Sequence, residues 1–146
     1  MILYFYDYKD ELFKAVKEIR YKVFLCEQLA FAEGYFDEAD TREDTLFALK
    51  INEERIPVAT GRMIKEGNSY KIGRIAVLES ERGKGSGKKI VEGFCRSAKD
   101  KGATEIFVNA QLHAIPFYEK LGFELTGEDV NFEMELPHRP MRKVLV

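Results

Sequence analysis

A loop rich in glycine and basic residues has the composition of a phosphate-binding site. It runs from Arg82 to Lys89 and directly follows the apolar, strand-like run Ile72 to Val77. Its glycines at positions 83, 85 and 87 allow positive φ angles and a close approach of the backbone to a ligand, so that consecutive N–H groups can converge on one anion. The helical pattern of Ser86 to Lys101 predicts a helix N-terminus at the same point, and such termini bind anions. The sequence therefore predicts a phosphate site here.

The spacing within this loop excludes two widespread phosphate-binding motifs. A P-loop, G-x-x-x-x-G-K-[ST], would need glycine where Arg82 stands and serine or threonine where Lys89 stands. A dinucleotide-binding motif, G-x-G-x-x-G, that begins at Gly83 meets Lys88 in place of its third glycine. A general nucleotide-phosphate binder is therefore disfavoured, and other residues must identify the ligand.

Three sequence blocks resemble the GNAT family of acyl-CoA N-acyltransferases. Arg82-x-x-Gly85-x-Gly87 is similar to the R-x-x-G-x-G signature of that family. Ala114 to Phe123 is similar to its A-x-x-F-Y-x-K-x-G-F helix, and the strand-like run Ile106 to Gln111 precedes this block in the family's order. Upstream, Arg20-x-x-Val23-Phe24-x-x-Glu27-Gln28 resembles a segment of one bacterial branch. The resemblance spans most of the chain.

The resemblance implies an N-acetyltransferase that uses acetyl-CoA (coenzyme A) and moves the acetyl group to a primary amine of a small molecule or peptide. Tyr118 corresponds to the family's general acid, which protonates the departing sulfur. A tyrosine hydroxyl has an unperturbed pKa of about 10, so it is protonated at pH 7 and can donate. The thioester carbonyl would be polarised by a backbone N–H of the first splayed strand, that of Val77.

The same resemblance implies a set of cofactor-binding residues. The backbone of the first strand would hold the pantetheine arm, the loop amides the pyrophosphate, and Lys84 or Lys88 the outer phosphates. Gln111 stands where the family often has an asparagine that contacts the arm. The implied residues are Ile75, Ala76, Val77, Arg82, Gly83, Lys84, Gly85, Ser86, Gly87, Lys88, Asn109, Gln111, Ala114 and Phe117.

Several residues are candidates for the acceptor side and the general base. The carboxylates between the first helix and the next strand include Glu27, Glu33, Asp37, Asp40 and Asp44. The branch resemblance favours Glu27 and Gln28 as substrate residues, and it makes His138 a candidate base or substrate contact. A chain of water molecules would serve equally well as the base. The acidic segment Glu33 to Asp44 suggests a cationic acceptor.

The pattern of apolar residues predicts one α/β domain over residues 1–146 with a mixed sheet. Because a parallel pair of strands needs a crossover, the strands before and after the helix Ser86–Lys101 are expected to be parallel, and the resemblance implies that they splay apart around it as in the GNAT fold. Helices are expected at Asp10–Cys26, Ser86–Lys101 and Ala114–Leu121, with helix or loop at Ala30–Asp44. Strands are expected at Ile2–Tyr6, Thr45–Ile51, Ile56–Ile64, Tyr70–Val77 and Ile106–Ala110, and the middle three are expected to form an antiparallel meander. A closing hairpin is expected from Phe123–Thr126 and Asn131–Leu136. Met141–Val146 has no assignment.

Composition restricts the partners. The net charge of −2 over 146 residues argues against nucleic acid, whose binding usually requires a basic excess. No apolar run approaches the roughly 20 residues that cross a bilayer, and the residues from Met1 to Tyr4 lack the basic region and cleavage site of a signal peptide, so we expect a cytoplasmic protein without a membrane partner. The two cysteines and two histidines have no metal-ligand spacing, so no metal is expected. The resemblance allows a homodimer.

Two coenzyme A functions remain open. The first is the N-acetyltransferase described above. The alternative is a non-catalytic acyl-CoA-binding or sensing module that keeps the phosphate loop and lacks the chemistry. The presence of Tyr118 favours the enzyme.

Overall fold

An eight-stranded mixed sheet forms the centre of the computed structural model, which describes residues 1–146. The strands are β1 (Ile2–Phe5), β2 (Leu46–Ile51), β3 (Pro57–Glu66), β4 (Ser69–Val77), β5 (Glu105–Gln111), β6 (Glu124–Leu125), β7 (Asn131–Glu133) and β8 (Leu136–Val144). The α-helices are α1 (Leu12–Arg20), α2 (Ser86–Asp100) and α3 (Ile115–Lys120). Short 3₁₀ turns lie at Ala32–Gly34, Glu38–Thr41, Glu79–Glu81 and Leu112–Ala114, and a π-helical segment lies at Tyr21–Glu27.

The strand order is β1-β2-β3-β4-β5-β8-β6, and β7 pairs with β8 outside this path. Strands β1 to β4 pair antiparallel with their sequence neighbours. Strands β4 and β5 are parallel, and α2 supplies the crossover between them that a parallel pair requires. The predicted mixed sheet, its N-terminal antiparallel meander and the parallel pair around α2 are confirmed.

Buried apolar side chains cover both faces of this sheet. Side chains alternate along a strand, so Leu46 and Ala48 of β2 pack on the α2 side, whereas Phe47 and Leu49 pack on the α1 side. Burial on both faces explains why the central strands read as nearly continuous apolar runs in the sequence. Helices α1 and α2 therefore pack on opposite faces of the sheet.

Strand β4 contains a bulge opposite Gly61. Arg62 of β3 pairs with Gly73, but Thr60 pairs with Ala76, so two residues of β4 face the single residue between them on β3. An extra residue of this kind bends a strand and increases its twist. The bulge therefore turns β4 just before the phosphate loop.

The bulge also reverses which face the side chains of β4 reach. Residues four apart in a regular strand share a face. Here Ile72 packs in the α2-side cluster, while Ala76 packs in the α1-side cluster. Arg74 takes a φ of 52° at the bulge, a left-handed conformation that costs a non-glycine residue of order 1–3 kcal/mol. Such strain is often found beside active sites.

The first predicted helix changes its hydrogen-bond pattern half way along. It is α-helical only over α1 and continues as the π-helical segment to Glu27, where the Gln28 N–H donates to the Val23 carbonyl 3.2 Å away. The spacing of apolar residues does not distinguish α-helical from π-helical hydrogen bonding over a single turn. Wider turns of this type often occur at functional sites, and this one sets the direction of Glu27 and Gln28.

The predicted C-terminal hairpin is wrong in its pairing. The segment at Phe123–Thr126 contributes β6, which pairs with Met141 and Arg142 of β8. The hairpin partner of β7 is the start of β8, not β6. Strand β8 also pairs with β5 along its length, so much of the unassigned segment Met141–Val146 belongs to the sheet.

The turn between β7 and β8 explains this error. Met134 and Glu135 have φ angles of 55° and 62°, the geometry of a tight primed hairpin turn. Asparagine and glycine usually mark such turns, and neither is present here. Pro137 and Pro140 within β8 further weaken the strand pattern, because proline cannot donate a hydrogen bond to a sheet.

No helix has the length and apolar character that a bilayer crossing demands.

Candidate active site

The parallel strands β4 and β5 separate beside the phosphate loop. Their pairing ends at Ile72 and Val108, and the residues beyond have no partners across the gap. A space of about 770 Å³, here called the main cleft, opens at this point. Its volume is in the usual range of roughly 300–1,000 Å³ for ligand sites. The main cleft is lined by Val23, Glu27, Gln28, Ile75, Ala76, Val77, Glu81, Arg82, Gly83, Gly85, Ser86, Gly87, Lys88, His113, Phe117, Lys120 and Leu121.

Two further spaces continue from the main cleft. A central cavity of about 120 Å³ shares Ile75 and Phe117, among others, with the main cleft. An outer cavity of about 360 Å³ shares Gly73, Arg74 and Glu133 with the central cavity. The three spaces thus adjoin in series, from the phosphate loop past the separated strands to the opposite side.

The phosphate loop offers free backbone donors. Helix α2 starts at Ser86 after Gly85, which has a φ of 80° and provides no side-chain cap. The first helical hydrogen bond runs from the Lys89 N–H to the Gly85 carbonyl, 3.0 Å away. The N–H groups of residues 86–88 therefore have no acceptor within the protein and point out of the helix end. Gly83, with a φ of 81°, adds a second position that favours glycine. This arrangement fits a pyrophosphate.

The basic residues of the loop have different surroundings. Lys88 lines the main cleft, as the phosphate prediction requires. Lys84 pairs instead with Glu81 at 2.7 Å and does not line the cleft. Lys120 of α3, the lysine of the A-x-x-F-Y-x-K-x-G-F block, also lines the main cleft, although the resemblance gave it no role.

Arg82 bridges the loop to two neighbouring elements. Its guanidinium contacts Glu27 of the π-helical segment through two 2.9 Å contacts. Its Nε donates to the Val77 carbonyl at 3.1 Å. Glu27, a candidate substrate residue, is therefore already paired with a loop arginine.

The backbone of Val77 faces the main cleft. The Leu78 N–H donates to the Val58 carbonyl at 2.9 Å, so the backbone groups of Leu78 point toward β3. Backbone groups of successive strand residues point to opposite sides. The N–H and carbonyl of Val77 therefore point away from β3 and into the gap, in agreement with the bond between its carbonyl and Arg82.

Tyr118 of α3 places its hydroxyl at the central cavity. The residue is 6% exposed, and its ring packs edge-on against Phe117 and Phe123. The hydroxyl has no hydrogen-bond partner in the protein. Only the Nε atoms of three arginines are fully buried side-chain polar atoms without a partner, so the Tyr118 hydroxyl is not fully buried. The hydroxyl therefore reaches the central cavity, which Tyr118 lines. Burial raises the pKa of Tyr118, so it stays protonated at neutral pH.

The polar residues of β5 line the central cavity rather than the main cleft. Gln111 donates to the Gln28 side-chain oxygen at 2.9 Å, which joins β5 to the end of the π-helical segment. Asn109 exchanges hydrogen bonds of 2.7 and 3.0 Å with Asn131 and donates to Glu133 at 3.2 Å. The amide of Asn109 is therefore occupied in holding β5 to β7.

Ala114 and Phe117 close the gap from the side of α3. Ala114 lines the central cavity, and Phe117 lines both it and the main cleft. The Phe117 ring packs so closely on Gly87 that a Cβ there would lie 3.3 Å from it. Gly87 thus allows α2 and α3 to approach each other beside the loop.

His138 of β8 is the remaining predicted residue at the central cavity. It is 2% exposed, and its Nδ1 lies 2.7 Å from the Leu136 carbonyl oxygen. Burial lowers the pKa of His138 below its ordinary value. Tyr118, Gln28, Gln111 and His138, which are far apart in the sequence, therefore line one cavity.

Two carboxylates of the acidic segment, Asp37 and Asp40, are bound by buried arginines. Asp40 is fully buried and binds Arg20 at 2.8 Å and Arg62 at 3.0 Å. Asp37 binds Arg62 and, at 3.0 Å, Arg74. Although burial favours the neutral acid, these arginines hold the pKa of Asp37 below its usual range. The two carboxylates therefore support the fold, and they give little reason to expect a cationic acceptor.

Arg74 and Glu133 are the main residues that the sequence did not indicate. Arg74 donates to Glu133 at 2.6 Å and lies with it between the central and outer cavities. Neither residue belongs to a motif, and the bulge that turns Arg74 inward has no sequence signature. No group of three or more potential ligands is arranged to hold a metal ion.

Comparison with known proteins agrees with this geometry. Residues 7–145 match the acetyltransferase (GNAT) domain model. The chain is 36% identical to YyaT of Bacillus subtilis, over 91% of this chain and 88% of that protein. It is 32% identical to the B. subtilis N-acetyltransferase YjcF, over 92% and 94%. An aminoglycoside 6'-N-acetyltransferase in complex with coenzyme A has the same fold, with a TM-score of 0.78 and 15% identity over 100% of this chain and 97% of that one.

Proposed function

The chain belongs to the GNAT family of acetyltransferases, and from this premise we propose that it transfers an acetyl group from acetyl-CoA to a primary amine of a small molecule or peptide. The amine attacks the thioester directly, and no acyl-enzyme forms. The observation that carries the proposal is the position of the Tyr118 hydroxyl, unpaired at the cavity that adjoins the main cleft.

The chain's own groups suit the donor. The free N–H groups of residues 86–88 and the side chain of Lys88 provide an anion site for the pyrophosphate. Beyond Ile72 the backbone of β4 has no partner on β5, so it is open along the gap, where the amides of a pantetheine arm need partners. Coenzyme A supplies the activated acetyl group as a thioester.

Two protein groups assist the transfer step. The Val77 N–H donates to the carbonyl oxygen as negative charge develops on it, which lowers the barrier most when the donor is already oriented. The Tyr118 hydroxyl gives its proton to the sulfur as the C–S bond breaks. Because burial raises the pKa of Tyr118, the hydroxyl keeps this proton until the thiolate forms.

The acceptor has a route that does not cross the donor. The outer cavity adjoins the central cavity at Gly73, Arg74 and Glu133, on the side away from the phosphate loop. A small amine or an extended peptide side chain fits such a route. The aminoglycoside acetyltransferase of similar fold supports a small-molecule acceptor.

Thiol release from acetyl-CoA across a panel of amines tests the proposal, with coenzyme A binding measured in parallel by calorimetry. We expect binding together with amine-dependent thiol release. Binding without release on any amine would favour the non-catalytic acyl-CoA sensor. Absence of coenzyme A binding would rule out both functions.

A further inference from the structure

The central cavity contains one histidine whose tautomer is fixed by the fold. His138 lies on β8 opposite Gln111 and lines the central cavity. Its Nδ1 is 2.7 Å from the Leu136 carbonyl oxygen. Because a carbonyl oxygen only accepts, Nδ1 carries the hydrogen and donates it. In the neutral ring Nε2 therefore holds a lone pair.

This Nε2 is open to the central cavity. It makes no hydrogen bond within the protein, although the residue is 2% exposed. The side-chain polar atoms that are fully buried and have no hydrogen-bond partner are the Nε atoms of Arg20, Arg74 and Arg139. The Nε2 atom is not among them, so it has access to the cavity and can meet a ligand there.

The surroundings keep the ring neutral. The charged and titratable groups around it are Glu133 on β7, Arg74 and Lys71 on β4, Tyr118 on α3 and His113 in the turn before α3. Burial lowers the pKa of His138 and the two cations on β4 add to this effect, whereas the bond to Leu136 and the charge of Glu133 oppose it. The net direction is downward, so the free base predominates at pH 7.

The only carboxylate that lines the central cavity is already occupied. Glu133 forms an ion pair with Arg74 and accepts a hydrogen bond from Asn109. A carboxylate held by arginine has a low pKa and is a weak proton acceptor. His138 therefore offers the free lone pair that a base at this cavity needs.

We propose that His138 is the general base of the transfer, with Nε2 taking a proton from the ammonium group of the acceptor in the central cavity. This rests on the proposed function and adds the residue that activates its acceptor. The neutral amine then forms the C–N bond, the C–S bond breaks, and Tyr118 protonates the sulfur. The nitrogen's second proton restores Tyr118, and His138 releases its proton to water, so one proton is released per acetyl group transferred.

His138→Asn separates this role from a structural one, because the asparagine amide keeps a donor for Leu136 and lacks the second ring nitrogen. On an amine with a pKa near 10 we expect kcat/KM at pH 7 to fall about 10²–10⁴-fold, the usual contribution of a general base. The wild-type profile should fall below pH 6.5 and be level above it, whereas kcat/KM of the variant should rise about tenfold per pH unit up to the pKa of the amine, with no level region. The ratio of wild-type to variant kcat/KM should fall about tenfold per pH unit above pH 7, because more of the amine is already neutral in solution. This ratio should be small for an amine with a pKa near 7.

His113→Gln is the matched control, since His113 is the other histidine of the chain and lines the same cavity. We expect this variant to keep the level region of the wild-type profile. His138→Gln is the second variant if His138→Asn does not fold. A loss of kcat/KM that is equal at every pH and for every amine, or loss of the level region in His113→Gln instead, would overturn the base assignment and leave the acetyltransferase intact. Wild-type protein that acetylates no amine would overturn both.

Discussion

The two sides of the candidate site are built in different ways. The donor side is largely local: one stretch from Val77 to Lys88 provides the backbone groups of the phosphate loop and Lys88, which line the main cleft. The acceptor side is assembled from residues of seven elements, and Gln28, Arg74, Tyr118 and His138 are among the residues that line it. A backbone site tolerates most side-chain changes, whereas a side-chain site depends on how distant segments pack. The donor side therefore has a sequence signature that the acceptor side lacks.

The largest expected effect tests the point where the two sides meet. Tyr118→Phe removes the proton donor and leaves the buried ring, so we expect turnover to fall about 10²–10⁴-fold. The dissociation constant for coenzyme A should stay within about twofold, because the main cleft is unchanged. Steady-state kinetics and calorimetry measure the two quantities.

Tyr70→Phe is the control for this substitution, because Tyr70 lies at the far end of β4, where it pairs with β5. It should retain wild-type turnover. Unchanged turnover in Tyr118→Phe would remove Tyr118 from the mechanism, and no side chain of the acceptor side would then act on the donor.

A second substitution tests whether the donor side depends on backbone conformation. Gly85→Ala places a Cβ at a φ of 80° at the start of α2, where the free N–H groups begin. A left-handed alanine costs about 1–2 kcal/mol, and relaxing it would turn these groups away from the phosphates. We expect coenzyme A affinity to fall about tenfold, measured by calorimetry.

Gly67→Ala is matched to it. Gly67 has a φ of 60° in the turn between β3 and β4, with no heavy atom within 4 Å of an added Cβ. It should bring a similar backbone strain and leave coenzyme A affinity unchanged. Equal losses of affinity in both variants would show that the effect is one of general stability.

The signals that the sequence carries for the donor side are local. Glycines in the loop, the start of α2 and the order of strand, helix and strand follow from neighbouring residues, and the structure confirms the mixed sheet with its parallel pair around α2. Lys84 is the exception. Composition places a lysine near a phosphate but does not indicate that Glu81, three residues before, pairs with it.

The arrangement of the acceptor side does not follow from the sequence. The sequence indicates Tyr118 as the general acid, Gln111 as a contact of the pantetheine arm and His138 as a base or substrate contact, whereas their shared cavity depends on the pairing of β5 with β8. That pairing was not predicted, since the turn at Met134 lacks asparagine and glycine. The bulge that places Arg74 between the cavities depends on packing across the sheet, which a single sequence does not encode locally.

A third substitution tests the stability of the acceptor side. Asp37→Asn removes a charge that binds Arg62 and Arg74. Because hydrogen bonds to charged groups are worth roughly 1.5–3 kcal/mol, we expect the free energy of unfolding to fall by about 2 kcal/mol at pH 7. The pKa of Asp37 is lowered by folding, so its contribution is present above the unfolded value of about 3.9 and is lost as pH falls through the folded value. The difference between the two proteins in urea unfolding should therefore shrink in acid.

Glu38→Gln controls for charge in the same short helix, where Glu38 forms an exposed pair with Arg42. It should leave the free energy of unfolding within experimental error. A difference between Asp37→Asn and wild type that is independent of pH would mean that the lost contact is not ionic.

The smallest expected effect tests the contact that joins the two sides. Glu27 holds the Arg82 guanidinium, which the phosphates of coenzyme A would otherwise attract. An ion pair with this much exposure contributes about 0.2–1 kcal/mol. Glu27→Gln should therefore tighten coenzyme A binding by up to about fivefold at low salt, and by less at high salt, where charges are screened. Glu38→Gln, which removes an equal charge outside the lining of the main cleft, should not change the affinity. Weaker binding in Glu27→Gln would instead mean that Glu27 orients Arg82 toward the phosphates, so that the acceptor side supports the donor side.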